Sequence, residues 1–200
     1  MAAPQAAPSA PELVHRAEAL ATAMRFERSS IREIGRLLAV LVSQRPRGRF
    51  AEIGTGTGVG SAWIVDSLSP GATFVTVELD PDRASAAGRL FADYPNVRVL
   101  EGDWHEVMPP EAPFDLLFFD GGNWKRRPPA EMRAESERAL ELLAAGGVVV
   151  MDDLTPEHLW PDAWGAWPDA LREHWLGHDG LVATEILTTA ETSAILAVKR

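Results

Sequence analysis

Glycines occupy every second position in the middle of the stretch FAEIGTGTGVGSAWI, from Phe50 to Ile64. They come between a short apolar run and a predicted helix start, where a ligand can approach bare backbone and meet helix N–H donors. The spacing is not that of a dinucleotide site, because G-x-G-x-x-G counted from Gly54 fails at Val59 and counted from Gly56 fails at Ser61. No Gly-Lys-Ser/Thr follows, so it is not a P-loop either. The glycines predict a ligand site that need not cradle a pyrophosphate.

Carboxylates follow the later apolar runs. Glu78 ends TFVTVE, Asp103 follows VRVLEG, Asp120 ends LLFFD, and Asp152 and Asp153 end VVVMDD. Carboxylates can accept hydrogen bonds from a ligand, and all-oxygen ligation rich in carboxylates suits Mg²⁺ or Ca²⁺. The simpler alternative is that Asp103 only caps a short helix and that Glu78 is solvated.

Short apolar runs alternate with helical segments from Arg49 onward, which is the pattern of βα units and a parallel sheet. The predicted strands are Arg49–Ile53, Thr73–Glu78, Val97–Glu101, Phe114–Phe119 and Gly147–Asp152, followed by a hairpin of Thr184–Thr188 and Ser193–Val198. The predicted helices are Glu12–Met24, Ser30–Ser43, Gly60–Leu68, Pro81–Tyr94 and Ala130–Ala144. We expect an α/β fold with N-terminal helices and a doubly wound, mostly parallel seven-stranded sheet. Its antiparallel C-terminal hairpin would supply one reversed edge strand.

The segment Glu52-Ile-Gly54-Thr-Gly56-Thr-Gly58 resembles motif I, E-x-G-x-G-x-G, of the class I S-adenosylmethionine-dependent methyltransferases. The stretches LLFFDGGNWKRRP and VVVMDDLTP make the chain similar to the catechol and caffeoyl-CoA O-methyltransferase group. The resemblance implies the Rossmann-like methyltransferase fold. It also implies that Glu78 accepts hydrogen bonds from both ribose hydroxyls, and that Asp103 and Trp104 read the adenine. The implied cofactor-binding residues are Glu52, Gly54, Thr55, Gly56, Gly58, Glu78, Asp103, Trp104 and Asp120.

The same resemblance implies that Asp120, Asp152 and Asp153 hold a divalent metal, Mg²⁺, which chelates vicinal oxygens of the substrate. A metal-free polar pocket stays open as an alternative, because Asp153 replaces the family's Asn. Lys125 follows Asp120 at a longer spacing than the base of relatives, so it is either a catalytic base or part of a solvated loop. His158, close behind the acid pair, is an alternative base, whereas the other histidines show no ligand-like spacing. The catalytic candidates are thus Asp120, Lys125 and His158.

Trp160, Trp164 and Trp167 fall at i, i+4 and i+7, which would make one aromatic stripe on a helix. Their place after the fifth strand suits a wall of the acceptor pocket. Aromatic stripes at helical spacing are mostly buried structure, however, which favours packing in a core or a dimer interface. A homodimer therefore stays open.

Composition limits the classes of function. The 200 residues have a formal net charge of -10, which argues against binding the phosphate backbones of nucleic acids. No apolar run approaches the ~20 residues of a membrane span, and the absence of cysteine fits a reducing cytoplasm. The Ala/Pro-rich residues 1–11 predict a disordered tail. The remaining residues, 12–200, predict a single domain that begins with a helical extension over 12–48.

The sequence therefore predicts methyl transfer from S-adenosylmethionine to an oxygen of a small hydroxylated, catechol-like acceptor. A metal-independent O- or N-methyltransferase and a non-catalytic S-adenosylmethionine-binding protein are the alternatives. The acceptor's identity is not encoded in these motifs, because loops choose the substrate and a fold does not imply one.

Overall fold

The computed structural model describes residues 9–121, 128–160 and 169–200, and it has an α/β fold around one seven-stranded sheet. The strands are β1 (Arg49–Ile53), β2 (Thr73–Glu78), β3 (Val97–Glu101), β4 (Phe114–Phe119), β5 (Leu143–Leu154), β6 (Leu181–Leu187) and β7 (Ser193–Lys199). The α-helices of the described residues are α1 (Glu12–Ala23), α2 (Arg32–Ser43), α3 (Val59–Asp66), α4 (Pro81–Leu90), α5 (Trp104–Val107), α6 (Pro129–Glu141) and α7 (Ala170–Gly177).

The strands pair in the order β3-β2-β1-β4-β5-β7-β6. The first five strands of the chain are parallel, and β1 lies between β2 and β4. The winding therefore reverses direction at the end of β1, where ligands bind in sheets of this type. β7 runs antiparallel to both of its neighbours, β5 and β6. The doubly wound, mostly parallel sheet and its C-terminal hairpin are confirmed.

One detail of the predicted topology is wrong. The reversed strand is β7, which lies second from the edge, while β6 takes the edge itself. Burial gives the physical reason, because most of β7 is buried whereas β6 has exposed residues along its length. The more apolar strand of the hairpin pairs with β5, and the more polar one faces solvent.

Two helical layers cover the sheet. Helices α1 to α4 share one core cluster with side chains such as Phe74 and Phe118. Helices α6 and α7 cover the other face, where Trp175 packs in a second cluster with Phe119. Because both faces are covered, β1, β2 and β4 are buried almost throughout, as expected of central parallel strands.

The N-terminal helices pack on the sheet domain through α3. Gly35 of α2 lies directly against the ring of Trp63 in α3, and a side chain at position 35 would clash with that ring. Residues 1–8 of the predicted tail lie outside the described residues. Ala10, which the sequence analysis placed in the tail, is only 6% exposed and belongs to the core. None of the described helices is long and apolar enough to span a membrane.

The bounds of β1 to β4 agree with the predicted ones, whereas β5 is longer at both ends. Leu143 pairs with Phe114 before an irregularity in the β4–β5 register. At the other end, Leu154 pairs with Ser193 after an irregularity that follows Met151. Apolar continuity alone does not reveal such extensions, because they depend on what the neighbouring strands offer for pairing.

Candidate active site

A cavity of about 790 Å³ opens at the carboxyl ends of the parallel strands. This position is the expected one for a ligand site in a doubly wound sheet, and the volume suits a small molecule. The wall combines the glycine loop after β1 with strand-end acids, the segment between α1 and α2, and the β6–β7 turn. Among the wall residues are Phe26, Arg28, Ser29, Gly54, Gly56, Glu78, Asp103, Trp104, Asp120, Asp153 and Glu191.

The glycine loop is held against its neighbours by its own backbone. The N–H groups of Gly54 and Thr55 donate to the carbonyl of Val77 at 3.0 and 3.1 Å, which ties the loop to the end of β2. Gly54 has a φ of 98°, and a Cβ there would lie 2.5 Å from the Cα of Gly121. Glycine is therefore required at position 54 both by conformation and by close backbone approach.

Both carboxylate oxygens of Glu78 accept hydrogen bonds from the protein. Oε2 accepts from the N–H of Gly56 at 2.8 Å, and Oε1 accepts from the N–H of Asp80 at 2.9 Å and from Nη2 of Arg83 at 2.8 Å. Glu78 is only 6% exposed, so the alternative of a solvated carboxylate is wrong. A carboxylate offers about four lone-pair sites, which leaves acceptor capacity on Glu78 for a ligand in the cavity.

Glu52, predicted among the cofactor-binding residues, lies beneath the loop and is not part of the cavity wall. Its Oε2 accepts from Oγ1 of Thr76 at 2.7 Å and from Oγ of Ser61, and Thr76 in turn contacts Oγ1 of the wall residue Thr55 at 2.6 Å. Burial raises the pKa of Glu52 to about 8, despite the opposing effect of the two hydroxyl donors. Glu52 thus supports the loop from below.

Asp103 both caps α5 and lines the cavity. Its Oδ1 accepts from the N–H of His105 at 3.0 Å and lies 2.6 Å from Nδ1 of the same residue. The backbone hydrogen bond from His105, together with its imidazole, holds the pKa of Asp103 below the usual value. Asp103 therefore caps α5, as the simpler alternative predicted, and it also contributes an ionised carboxylate to the cavity wall.

His105, to which the sequence analysis gave no role, is also part of the wall. Its ring stacks on Trp104 with 4.0 Å between centroids. Its Nε2 lies 2.7 Å from Oε2 of Glu135 in α6. Only its place two residues after Asp103 could have pointed to this cluster, because Glu135 lies thirty positions further along the chain.

Asp120, Asp152 and Asp153 come together at the ends of β4 and β5, as the resemblance implied. Each offers one carboxylate oxygen, and the three oxygens lie within 4.8 Å of one another. Asp153 has a φ of 58°, which is uncommon for a residue other than glycine, and it lies in the register break before Leu154. Successive residues of a strand normally point to opposite faces, so this local turn lets both acids of β5 reach one point. The all-oxygen donor set fits a divalent cation.

An arginine of α7 anchors the segment that follows the acid pair. Nε and Nη2 of Arg172 donate to the two carboxylate oxygens of Glu185 in β6, at 2.7 and 2.6 Å. Nη2 also donates to the carbonyl of Thr155 at 2.8 Å. Thr155 lines the cavity, so this one guanidinium connects the edge of the sheet to the wall next to the acids.

The tryptophan stripe lies mostly on residues that the structure does not describe, since Trp164 and Trp167 fall outside the described ranges. Trp160 itself has extended backbone after a short 3₁₀ turn. Its ring nitrogen donates to the carbonyl of Thr155 at 2.9 Å, and the guanidinium of Arg172 lies 5.3 Å from its ring centroid. Trp160 therefore helps to hold the segment after β5.

Of the two candidate bases, only His158 lies among the described residues. Lys125 lies outside the described residues. His158 is exposed in the 3₁₀ turn Glu157–Leu159 and is not part of the cavity wall. Its nearness to Asp153 in sequence does not bring it to the cavity, because the chain leaves the sheet edge after β5.

The sequence patterns also missed the segment between α1 and α2. A Cβ on Gly56 would lie 2.8 Å from the ring of Phe26, so this ring covers the glycine loop. The guanidinium of Arg83 lies 5.3 Å from the centroid of Phe26. Oγ of Ser29 and Oγ1 of Thr57 are buried in the wall and have no hydrogen-bond partner among the described residues. Buried hydroxyls normally have a partner, and a polar ligand in the cavity would supply one.

Residues 51–154 match a family profile that is described as a methyltransferase domain. The match runs from β1 to the end of β5 and includes every strand-end acid of the cavity. A Mycobacterium tuberculosis protein named a probable O-methyltransferase is 27% identical to this chain over 124 residues. That alignment covers 59% of this chain and 53% of the relative, so the chain spans about half the length of the curated relatives that it matches.

Two solved structures have a similar fold. The O-methyltransferase from Bacillus cereus in complex with SAH has a TM-score of 0.78 and 21% identity, covering 96% of this chain and 92% of that one. The O-methyltransferase TomG from Streptomyces achromogenes, involved in tomaymycin synthesis and solved with SAM, has a TM-score of 0.72 and 24% identity, covering 96% and 91%. At these identities the likeness establishes the fold, which is the Rossmann-like one that the sequence predicted.

Proposed function

The chain belongs to the methyltransferase domain family, and from that premise we propose that it transfers a methyl group from S-adenosylmethionine to an oxygen of a small hydroxylated acceptor. The class I methyltransferase resemblance of its glycine loop is confirmed by that membership. One observation supports this activity. A single cavity has the glycine loop, Glu78 and Asp103 in one part of its wall and Asp120 and Asp153 in another.

We propose that the first of these parts binds the cofactor. Glu78 is buried and oriented by three donors, so the acceptor site that remains on Oε2 can accept from a ribose hydroxyl with little loss of side-chain freedom. The ionised Asp103 is an acceptor for the amine of adenine, and Trp104 offers a ring beside the base. The buried hydroxyls of Ser29 and Thr57 support the same assignment, because a cofactor with a charged amino-acid end would satisfy them.

The proposed reaction is an in-line displacement. The acceptor oxygen attacks the sulfonium methyl carbon, the carbon–sulfur bond breaks, and its electron pair stays on sulfur. The hydroxyl proton is released, so the products are a methyl ether, S-adenosylhomocysteine and a proton. Catalysis by the chain is then mainly alignment of oxygen, carbon and sulfur. Asp120 directly follows β4, between the loop after β1 and the acids of β5, and so lies between donor and acceptor in this scheme.

We further propose that Asp120, Asp152 and Asp153 hold Mg²⁺. Their oxygens are close enough for one ion, and the donor set is the type that hard cations take. A divalent cation bound there lowers the pKa of a coordinated hydroxyl and helps to orient it. The three carboxylates would then fix the position of the acceptor oxygens relative to the cofactor. A pair of vicinal hydroxyls, as in a catechol, is the acceptor geometry that such a site favours.

The proposal is tested in two steps. Calorimetry with S-adenosylhomocysteine measures cofactor binding, and single-turnover assays with methyl-labelled S-adenosylmethionine measure transfer to a panel of catechols, other phenols and amines. We expect binding, and a methyl ether from a catechol that forms in Mg²⁺ and not in chelator. Failure to bind would contradict the proposal outright. Transfer that is insensitive to chelator, or transfer to amines, would favour the metal-independent alternative, and binding with no transfer to any compound would favour the non-catalytic one.

A further inference from the structure

The imidazole of His105 lies between two carboxylates at the edge of the cavity. Its Nδ1 is 2.6 Å from Oδ1 of Asp103, and its Nε2 is 2.7 Å from Oε2 of Glu135. We propose that His105 is a positioning residue, which holds Asp103 so that the carboxylate discriminates adenine from bases that lack the exocyclic amine. The inference rests on the proposed function, because it assumes that Asp103 faces the adenine of S-adenosylmethionine.

Counting protons fixes the direction of the hydrogen bonds. A carboxylate only accepts, and a neutral imidazole has one N–H. The low pKa of Asp103 keeps this side chain ionised, so the hydrogen of the shorter contact belongs to Nδ1 of His105. The contact with Glu135 is then satisfied either by an imidazolium or by a protonated Glu135. In both cases Nδ1–H donates to Asp103.

The two donors of His105 act on the same oxygen. Its backbone N–H and its Nδ1 both point at Oδ1 of Asp103, which leaves Oδ2 for a ligand. The Asp103 side chain is 52% exposed and stands at the start of a four-residue helix, so little else in its surroundings restricts its rotamer. Holding one oxygen therefore defines where the other one can accept a hydrogen bond.

His105 is itself fixed from two sides. Its ring stacks on Trp104 at 4.0 Å with an interplanar angle of 29°. Glu135, which accepts from or donates to Nε2, has a side chain that is only 9% exposed and has Arg138 within 3.8 Å. The imidazole thus connects the adenine end of the cavity to α6. A rigid support of this kind is what a site needs in order to read one hydrogen-bond donor on a ligand.

The test compares two ligands and three substitutions, His105→Phe, His178→Phe and Glu135→Gln. S-adenosylhomocysteine has the exocyclic amine, and S-inosylhomocysteine has a carbonyl oxygen in its place. His105→Phe keeps a ring to stack on Trp104 and removes both side-chain hydrogen bonds. His178→Phe is the matched control, because His178 also contacts a glutamate, Glu137, but lies just after α7 and outside the cavity wall. Calorimetry gives Kd for each ligand, and circular dichroism checks the fold of each variant.

We expect the wild-type protein and His178→Phe to prefer S-adenosylhomocysteine by at least about tenfold, since the analogue leaves a carboxylate facing a carbonyl. In His105→Phe that preference should fall to about threefold or less, because the affinity for S-adenosylhomocysteine falls while the affinity for S-inosylhomocysteine stays the same. Glu135→Gln keeps an acceptor for Nε2 and should retain most of the preference. Equal weakening of both ligands, or an undiminished preference in folded His105→Phe, would overturn the inference alone. If the wild-type protein binds neither ligand, the proposed function fails and the inference fails with it.

Discussion

The N–H of Gly56 donates to Oε2 of Glu78 at 2.8 Å, and this hydrogen bond joins the loop after β1 to the end of β2. The other oxygen of Glu78 is held by Arg83, whose guanidinium also lies against Phe26. The strand-end acid, the glycine loop and the segment between α1 and α2 are therefore one connected unit. A change at Glu78 should affect cofactor binding through both its own acceptor oxygens and the loop that it holds.

Replacing Glu78 with alanine should weaken binding of S-adenosylhomocysteine by about 1.5 to 3 kcal/mol, because a charged acceptor for the ribose is lost. Calorimetry on the two proteins measures this difference. Glu101→Ala is the matched control, because Glu101 is the register partner of Glu78 on β3 but is exposed and lies outside the cavity wall. An unchanged affinity in Glu78→Ala would rule out this placement of the ribose.

The buried Glu52 predicts an unusual pH dependence of stability. Burial raises its pKa from 4.5 to about 8, so between these values the folded chain holds a proton that the unfolded chain has lost. The contribution of this carboxyl is complete below the unfolded value and is lost as the pH rises to the folded one. The free energy of unfolding should therefore fall with rising pH in this window, by up to about 1.4 kcal/mol per pH unit from this group.

Glu52→Gln isolates that contribution, since glutamine keeps an oxygen for Ser61 and Thr76 and does not titrate. Denaturant melts of both proteins at a series of pH values give the difference in unfolding free energy. We expect the difference to change steadily in favour of the variant as the pH rises, while affinity for S-adenosylhomocysteine stays nearly the same. Parallel stability curves would show that Glu52 is ionised in the folded protein.

Replacing Arg172 should lower the free energy of unfolding substantially. Arg172→Met leaves Glu185 and the carbonyl of Thr155 without their guanidinium partner in a half-buried setting, which should cost about 2 to 4 kcal/mol. Arg172→Met combined with Glu185→Met should cost less than the single change, because the carboxylate of Glu185 is no longer left without its partner, although Asp169 still loses its contact with Arg172. Denaturant melts measure both. A double variant that is less stable than Arg172→Met would contradict this account.

The sheet was largely readable from the sequence because its central strands are short apolar runs that are buried on both faces. Strands β1, β2 and β4 have this character, and the bounds of all four strands from β1 to β4 agree with prediction. The order of β7 and β6 was not readable in the same way. Both segments are apolar enough to be strands, and the choice of neighbour for β5 depends on the burial that each gains after the whole sheet has formed.

The sequence predicted residues of the site only where an acidic or other polar side chain comes at the end of a strand. The acids of β4 and β5 meet because parallel neighbours end at one edge, so their approach is a consequence of topology. The contact of His105 with Glu135 is different, because it depends on how α5 and α6 are placed on the same face of the sheet. Phe26 reaches the glycine loop through the packing of the N-terminal helices on α3, and no local pattern encodes such a contact.

Asp120 should matter for turnover far more than for cofactor affinity. Asp120→Asn removes one negative charge from the trio with Asp152 and Asp153, so the affinity for Mg²⁺ should fall by at least about tenfold. The rate of methyl transfer should fall with it, because a hydroxyl on a weakly held ion keeps a higher pKa. Mn²⁺ titration by calorimetry measures ion binding independently of activity, and single-turnover assays measure the rate.

Asp115→Asn is the control for this change, because Asp115 lies in β4, the strand that leads to Asp120, and pairs with Arg45 at the opposite end of the sheet. It should alter stability without altering Mn²⁺ affinity. If Asp120 holds a cation, excess Mg²⁺ should partly restore the rate of Asp120→Asn, and chelator should inhibit the parent protein. If Asp120 acts without a metal, the rate should fall but neither Mg²⁺ nor chelator should change it. Full activity of folded Asp120→Asn would contradict both versions, and Asp120 would then serve only to shape the end of β4.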